Sequence, residues 1–137
     1  MWHKATLEIT TRGKGLYDIT AQVQAQVTAS GVGDGMCFVF VPHTSASLVL
    51  NENWDPTARA DLESAFERLV PEEQAWFQHT LEGSDDMPAH IRAALTLPSV
   101  AIPIDEGRLA LGTWQGIYLF EHRRRPHRRR VLVWIWG

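Results

Sequence analysis

Three histidines occupy positions from which imidazole rings could bind a metal ion. His43 directly follows an apolar run, His79 lies in a polar segment, and His90 stands at the expected start of a helix. Neutral imidazole is a common zinc ligand, and three imidazoles with one open position form a catalytic pattern. The spacings of 36 and 11 residues match no local zinc signature. The residues alone therefore leave open whether the rings share one site or are separate, hydrogen-bonded or exposed side chains.

Two adjacent carboxylates, Asp85 and Asp86, come just before His90. Acidic residues at a helix start are favoured by the helix dipole, which is the structural interpretation. The functional interpretation is that one of them binds the metal, orients a histidine or acts as a general base. Two like charges in one site repel, so one carboxylate is expected to point away or to have a raised pKa.

Further polar residues could bind substrate. Thr44 and Ser45 place hydroxyls beside His43, and Asn51 and Glu52 end an apolar strand. Such residues are equally typical of ordinary turns. Alternatively, they line the mouth of a pocket.

A short segment bounded by glycines, Gly112 to Gly116, lies between two expected strands. Glycine lets the backbone approach a ligand closely, and Thr113 and Gln115 could donate hydrogen bonds to an anion. The segment lacks a lysine and the Walker spacing, so it is not a P-loop.

The elements that must position these residues alternate between strands and helices. Period-two and apolar runs predict strands at 3–11, 35–41, 46–50, 99–104, 109–111, 117–121 and 131–136. Capping residues and apolar stripes predict helices from Asp18 to Ser30, from Asp55 to Val70, and two short ones at 72–77 and 90–95. The pattern predicts one compact α+β domain over residues 1–137, with a mixed or antiparallel sheet packed against a few helices.

The last strand, Val131 to Trp136, is apolar on both faces. A chain of this size has few elements with which to cover both faces. We therefore expect either a subunit contact or a central strand covered by the chain's own helices.

Composition restricts the class of protein. The 137 residues are 45% hydrophobic and 21% charged, which is typical of a globular domain. A single cysteine excludes an internal disulfide. No signal-peptide pattern and no run of about 20 apolar residues is present, so a cytoplasmic protein without a membrane partner is expected.

The charge is uneven along the chain. Six of the 13 positive residues lie between His122 and Arg130, where no acidic residue occurs, and the net charge is −3. A duplex-binding domain usually has a broad basic face, which this acidic chain lacks. The basic stretch is interpreted as a solvated turn, or as a contact for a polyanion.

Four ordered motifs resemble the YjbQ family, whose members are often labelled secondary thiamine-phosphate synthase enzymes. They are His43-Thr44-Ser45-Ala46-Ser47-Leu48, Asn51 to Pro56, His79 to Ile91 and Gly107 to Tyr118. The resemblance implies an α+β fold that assembles as a homotrimer with sites near subunit boundaries. It also implies that His43, His79 and His90 lie together, with Asp86, Thr113 and Gln115 nearby.

The leading hypothesis is a metal-dependent enzyme that acts on a phosphorylated small molecule. The three histidines would hold a divalent metal, zinc by its ligand chemistry, while Asp86 and Gln115 take catalytic roles. Seven residues would bind substrate or phosphate: Thr44, Ser45, Asn51, Glu52, Arg108, Thr113 and Gln115. The resemblance adds a weak thiamine-phosphate synthase activity as the reaction.

The sequence also supports two alternative functions. The same residues would serve a non-catalytic trimer that binds a metal or a phosphorylated metabolite. A nucleic-acid contact would instead use the arginines of the basic stretch, but no aromatic residues are interleaved with them, which argues against single-strand binding.

Overall fold

Eight strands and three helices make up the chain, which a computed structural model describes from Met1 to Gly137. The strands are β1 (Trp2–Thr11), β2 (Gly15–Asp18), β3 (Gly35–Phe40), β4 (Ala46–Glu52), β5 (Ser99–Asp105), β6 (Arg108–Leu109), β7 (Gln115–Glu121) and β8 (His127–Trp136). The helices are α1 (Thr20–Ser30), α2 (Pro56–Leu69) and α3 (Asp86–Leu95).

The strands form two antiparallel sheets. The larger has the order β1-β8-β3-β5-β6, and the smaller has the order β2-β7-β4. Every strand pair is antiparallel. The predicted α+β class is confirmed, and the sheets are antiparallel rather than mixed.

One hydrophobic core joins the two sheets to α1. Its members come from the large sheet, from Leu48 and Leu119 of the small sheet, and from Val23 and Val27 of α1. On its other side the small sheet packs against α2, where Phe66 meets Phe120 edge-on with ring centroids 5.1 Å apart. The small sheet is therefore covered on both faces.

Local signals in the sequence set several boundaries. Asp55 caps α2 by accepting a hydrogen bond from Thr57 N at 2.9 Å, and Pro56 opens the helix, as predicted. Glu106 and Gly107 both have positive φ, which fits the two-residue turn that joins β5 to β6. That turn was also predicted from the residues.

Three elements differ from the prediction. The strand β2 was not predicted, and no helix forms at 72–77. Glu72 instead binds Lys14 and Arg124, so contacts distant in sequence replace local helical propensity there. Helix α3 begins at Asp86 rather than at His90, because Pro88 is tolerated in a first turn.

None of the three helices combines the length and the apolar character needed to cross a membrane.

Candidate metal centre

The first turns of α3 place Asp86 and His90 on one face of the helix, four residues apart. Asp86 Oδ2 lies 2.8 Å from His79 Nε2 and 3.1 Å from His90 Nε2. The possible ligand atoms of these three residues all lie within 4.8 Å of one another. Two imidazoles and a carboxylate form a donor set that suits zinc and similar divalent metals.

Arg123 holds the other oxygen of the same carboxylate. Its guanidinium donates to Asp86 Oδ1 at 2.7 Å, to Asp85 Oδ2 at 3.0 Å and to the Glu82 carbonyl at 2.9 Å. Partial burial opposes ionisation of Asp85, but the Arg124 N–H and the Arg123 guanidinium together hold its pKa below the ordinary value. Both aspartates therefore share one arginine, which relieves the repulsion that the sequence suggested.

Arg123 was not among the predicted site residues. We expect Arg123→Gln to weaken metal binding by about 10- to 100-fold, because Asp86 loses the partner that fixes its orientation. Zinc titration against a competing chelator measures the effect, with Arg125→Gln as the matched control from the same exposed turn. Equal zinc affinities in the two variants would show that Arg123 does not position Asp86.

His90 carries a donor and acceptor pattern that points to a cation. Its Nδ1 lies 2.9 Å from the Thr44 carbonyl, which can only accept, so Nδ1 carries a proton. A neutral ring then presents the lone pair of Nε2 to the Asp86 carboxylate, and two acceptors face each other. A positive charge between them, either a metal ion or a proton on His90, removes this conflict.

An open cleft of about 630 Å³ lies beside His79 and His90. Apolar side chains, Met87, Ala93 and Pro98, form much of its wall, and Thr44 and Thr96 also line it. No lysine or arginine lines this cleft. The cleft suits a ligand of modest polarity next to the candidate metal centre.

His43 lies outside the group of possible metal ligands, which differs from the expected cluster of three imidazoles. Its Nε2 accepts a hydrogen bond from Arg130 N at 2.9 Å, beyond the last paired residues of β3 and β8. The imidazole ring thus accepts the hydrogen bond that a backbone carbonyl of β3 would accept if the strand continued. Burial lowers the pKa of His43, and the charges of Arg129 and Arg130 lower it further.

Four predicted substrate residues meet at the other end of the small sheet. Glu52 pairs with Gln115 where β4 ends, whereas Ala46 pairs with Glu121 where β4 begins, next to the metal centre. Six residue steps of strand separate the two ends by about 20 Å. Asn51 and Thr113 lie at the far end, beside the exposed Trp54–Trp114 pair.

Gln115 and Arg108 are not directed to the candidate metal centre within one chain. Gln115 uses its side-chain oxygen to accept from Gly112 N at 3.0 Å. Arg108 lies on β6, at the edge of the large sheet. Of the predicted substrate residues, only Thr44 contacts the candidate metal centre within one chain, and Ser45 follows it in the same loop.

A buried ion pair holds the segment between β3 and β4. Arg129 Nε donates to Glu121 Oε2 at 2.7 Å, and Arg129 Nη2 donates to the Ser45 carbonyl at 3.2 Å. His122 N donates to the same carbonyl at 3.2 Å, and Glu121 Oε1 accepts from Arg123 N at 3.1 Å. The pair therefore positions both the loop that orients His90 and the arginine that holds Asp86.

His122 lies against this pair and is almost fully buried. Burial lowers its pKa to about 3, and the charges of Arg92 and Arg129 act in the same direction. Its Nε2 lies 2.8 Å from Ser47 Oγ. The ring is therefore neutral in the folded chain.

We expect acid to destabilise the fold through His122. The unfolded chain takes up this proton near the ordinary pKa of 6.5, and the folded chain only near 3. Stability is full above that window and falls as the pH decreases through it, by about 1.4 kcal/mol per pH unit. Urea unfolding at several pH values should show a shallower loss in His122→Gln than in wild type. Parallel losses in the two proteins would assign the acid sensitivity to other groups.

Most arginines of the basic stretch, His122 to Arg130, form ion pairs within the chain, so the stretch is not simply a solvated turn. Arg123, Arg124 and Arg129 are bound to carboxylates of the same chain. Arg128 lies 3.6 Å from Glu8 across an exposed pair. A polyanion would have to displace these partners, which weakens the nucleic-acid alternative.

These features define a class: a single α+β domain with two packed antiparallel sheets and a His–Asp–His group formed by its last helix and the segment before it. Solved structures share the architecture. A YbjQ-like protein of unknown function from Sulfolobus solfataricus matches with a TM-score of 0.87 and 29% identity, covering 100% of this chain and 99% of the other. A YjbQ/UPF0047 protein from Clostridium acetobutylicum matches with a TM-score of 0.84 and 39% identity, over 98% and 99%.

The chain belongs to the YjbQ family. The family model described as "UPF0047 protein YjbQ-like" matches residues 5–137. A UPF0047 protein of Synechocystis sp. is 54% identical over 98% of this chain and 92% of its own length. The UPF0047 protein YjbQ of Salmonella typhimurium is 41% identical over 100% and 99%.

Proposed function

We propose that this protein is a zinc-dependent enzyme that acts on a phosphorylated small molecule. The observation that carries the proposal is the contact between His90 Nε2 and Asp86 Oδ2, where a ring fixed as a donor at Nδ1 faces a carboxylate. A proton on His90 would satisfy this pair alone, whereas a divalent cation would also use His79 Nε2 as a third ligand. The donor set fits zinc by its chemistry.

The residues of the chain have separate roles in this proposal. His79, Asp86 and His90 would hold the metal, which supplies a Lewis acid for a phosphate oxygen or a bound water. Thr44 fixes the tautomer of His90 through its carbonyl, and Arg123 leaves only one Asp86 oxygen available as a ligand. The apolar wall of the adjacent open cleft would contact the less polar part of the ligand.

The reaction that family resemblance suggests is thiamine-phosphate synthesis as a secondary activity. A pyrimidine methyl diphosphate loses diphosphate, and the thiazole nitrogen of a thiazole phosphate forms the new bond to the methylene carbon. Stabilising the leaving diphosphate is the main catalytic demand. The absence of basic side chains in the cleft supports a weak rather than a dedicated activity.

The alternative is a binding protein that uses the same centre without turnover. Zinc content of the purified chain, followed by assay of the two thiamine precursors with and without zinc, separates the two. We expect one zinc per chain and zinc-dependent product. Stoichiometric zinc without product from this or other phosphorylated substrates would favour the binding protein. Absence of zinc binding after supplementation would contradict both.

We also propose self-association, with a homotrimer as the expected assembly. The outward face of the large sheet carries a continuous aromatic cluster, which comprises Trp2, Phe38, Phe40, Trp134 and Trp136, each 37–48% exposed. The inward residues of β8, including Val131 and Val133, lie in the core. This explains why the strand is apolar on both sides: one side is core, and the other suits contact with a second copy.

Trp134→Glu should shift the protein to the monomer, because a charge would be buried in an aromatic contact. Light scattering measures the mass, with Arg68→Glu, an exposed position on α2 away from this face, as the control. A wild-type mass near 15.5 kDa at micromolar concentration would contradict self-association.

A further inference from the structure

The loop between β3 and β4 contains a row of backbone donors without acceptors. The N–H groups of His43, Thr44 and Ser45 donate to no carbonyl or side chain of the chain. The three residues line one cleft of about 450 Å³, together with Pro98 and the buried Arg129. Successive free N–H groups in a concave loop form a known arrangement for binding anions.

The His43 ring adds a donor of fixed identity. Because its Nε2 accepts the Arg130 N–H, a neutral ring carries its proton on Nδ1. No protein acceptor takes that proton. The ring therefore offers an N–H group at the same cleft and lacks the free Nε2 lone pair that a metal ligand would need.

The charges around this loop favour an anion. Burial is the first cause of the lowered pKa of His43, and the charges of Arg129, Arg130 and His127 act in the same direction. Glu121 opposes them. The Glu121 carboxylate is engaged by Arg129. Arg130 makes no ion pair within the chain, so its exposed guanidinium can contribute.

One peptide connects this cleft to the metal centre. The Thr44 carbonyl accepts from His90, and the N–H of the same trans peptide, that of Ser45, points the opposite way. Thr44 and Pro98 line both clefts. The two clefts are therefore the two sides of a single segment.

We propose that His43, Thr44 and Ser45 bind the phosphate group of the ligand, with the His43 Nδ1–H and the backbone N–H groups as donors. This inference rests on the proposed function for the ligand's identity as a phosphorylated molecule. It gives His43 a role other than metal binding. It also moves phosphate recognition away from Arg108, Thr113 and Gln115.

The test is titration of inorganic phosphate into the metal-free, ¹⁵N-labelled full-length protein. We expect saturable shifts of the Thr44 and Ser45 amides and of His43 Nδ1, and a wild-type spectrum in which Nδ1 rather than Nε2 carries the proton. His43→Asn should weaken phosphate binding about tenfold or more, as loss of a charge-assisted hydrogen bond does. Thr113→Val and Arg108→Gln should leave it unchanged.

Each contrary result overturns the inference in its own way. Shifts confined to residues near Thr113 would place the anion at the far end of the sheet. A proton on His43 Nε2 would remove the donor, and saturation by acetate but not by phosphate would identify a carboxylate site. Zinc titration is performed separately. Phosphate binding without zinc binding would contradict the proposed zinc-dependent function but support the anion-binding loop. Zinc binding without phosphate binding would support the metal centre and contradict the anion-binding loop.

Discussion

Asp86→Asn should reduce zinc affinity by at least about 100-fold, the largest effect expected at the centre. Loss of an outer partner of a metal ligand costs about 10- to 100-fold. Asp86 supplies the oxygen on which both His79 and His90 converge, so its loss should exceed that range. Asparagine keeps the volume of the side chain but removes the negative charge. Competition with a chromogenic chelator gives the affinity.

Asp85→Asn is the matched control for this prediction. Asp85 binds the same Arg123 and lies next to Asp86, but it is not in the group of possible ligands. We expect it to retain zinc affinity within about tenfold, in the range of an outer partner. If the two asparagine variants lost zinc equally, the effect would come from Arg123 rather than from the ligand set.

Arg129→Met should destabilise the fold by about 3–5 kcal/mol, because it leaves the Glu121 charge buried without its partner. Glu121 is fully buried and Arg129 is nearly so. A domain of this size is stable by about 5–15 kcal/mol, so much of that margin would be lost. Urea unfolding at neutral pH measures the change. Arg128→Met, at the neighbouring exposed pair with Glu8, should cost no more than about 1 kcal/mol.

The double variant Glu121→Gln, Arg129→Met tests the cause. It removes both charges, so it should be more stable than Arg129→Met alone. If the double variant were the less stable of the two, packing and the bonds to Ser45 would account for the loss instead of the unpaired carboxylate.

Local chemistry made much of the fold predictable. Asp55 and Pro56 define a helix start by rules that involve only neighbouring residues, and so does the turn at Glu106 and Gly107. The helix expected at 72–77 failed because Glu72 is bound by Lys14 and Arg124 from distant segments. Strand β2 has four residues and depends on pairing with β7, which no local pattern shows.

The candidate site was predictable only in part, because some of its contacts also join residues distant in sequence. Asp86, His79 and His90 lie close in sequence, and the structure brings them together. His43 lies just beyond the end of β3, and its ring meets Arg130 only because β3 and β8 stop pairing there. No local pattern in the sequence shows where that pairing stops. A signal for Arg123 was present: the chain contains an acidic pair and a basic stretch, and Arg123 of the stretch binds both members of the pair.

The antiparallel ladder of β4 and β7 separated the other predicted residues. One interpretation of the polar residues around Thr44 and Asn51, which are seven residues apart, was that they line the mouth of a pocket. An extended strand between them instead carries them to opposite ends of the small sheet. Residue spacing specifies the distance along a strand but not which end faces α3.

The peptide between Thr44 and Ser45 has a thermodynamic consequence. The peptide group is a rigid plane. The direction of its carbonyl, which faces His90, and the direction of its N–H, which faces the other cleft, therefore cannot change independently. A ligand that tilts this plane from one side alters the affinity of the opposite side. Linkage requires the two occupants to influence each other by the same factor, whichever arrives first.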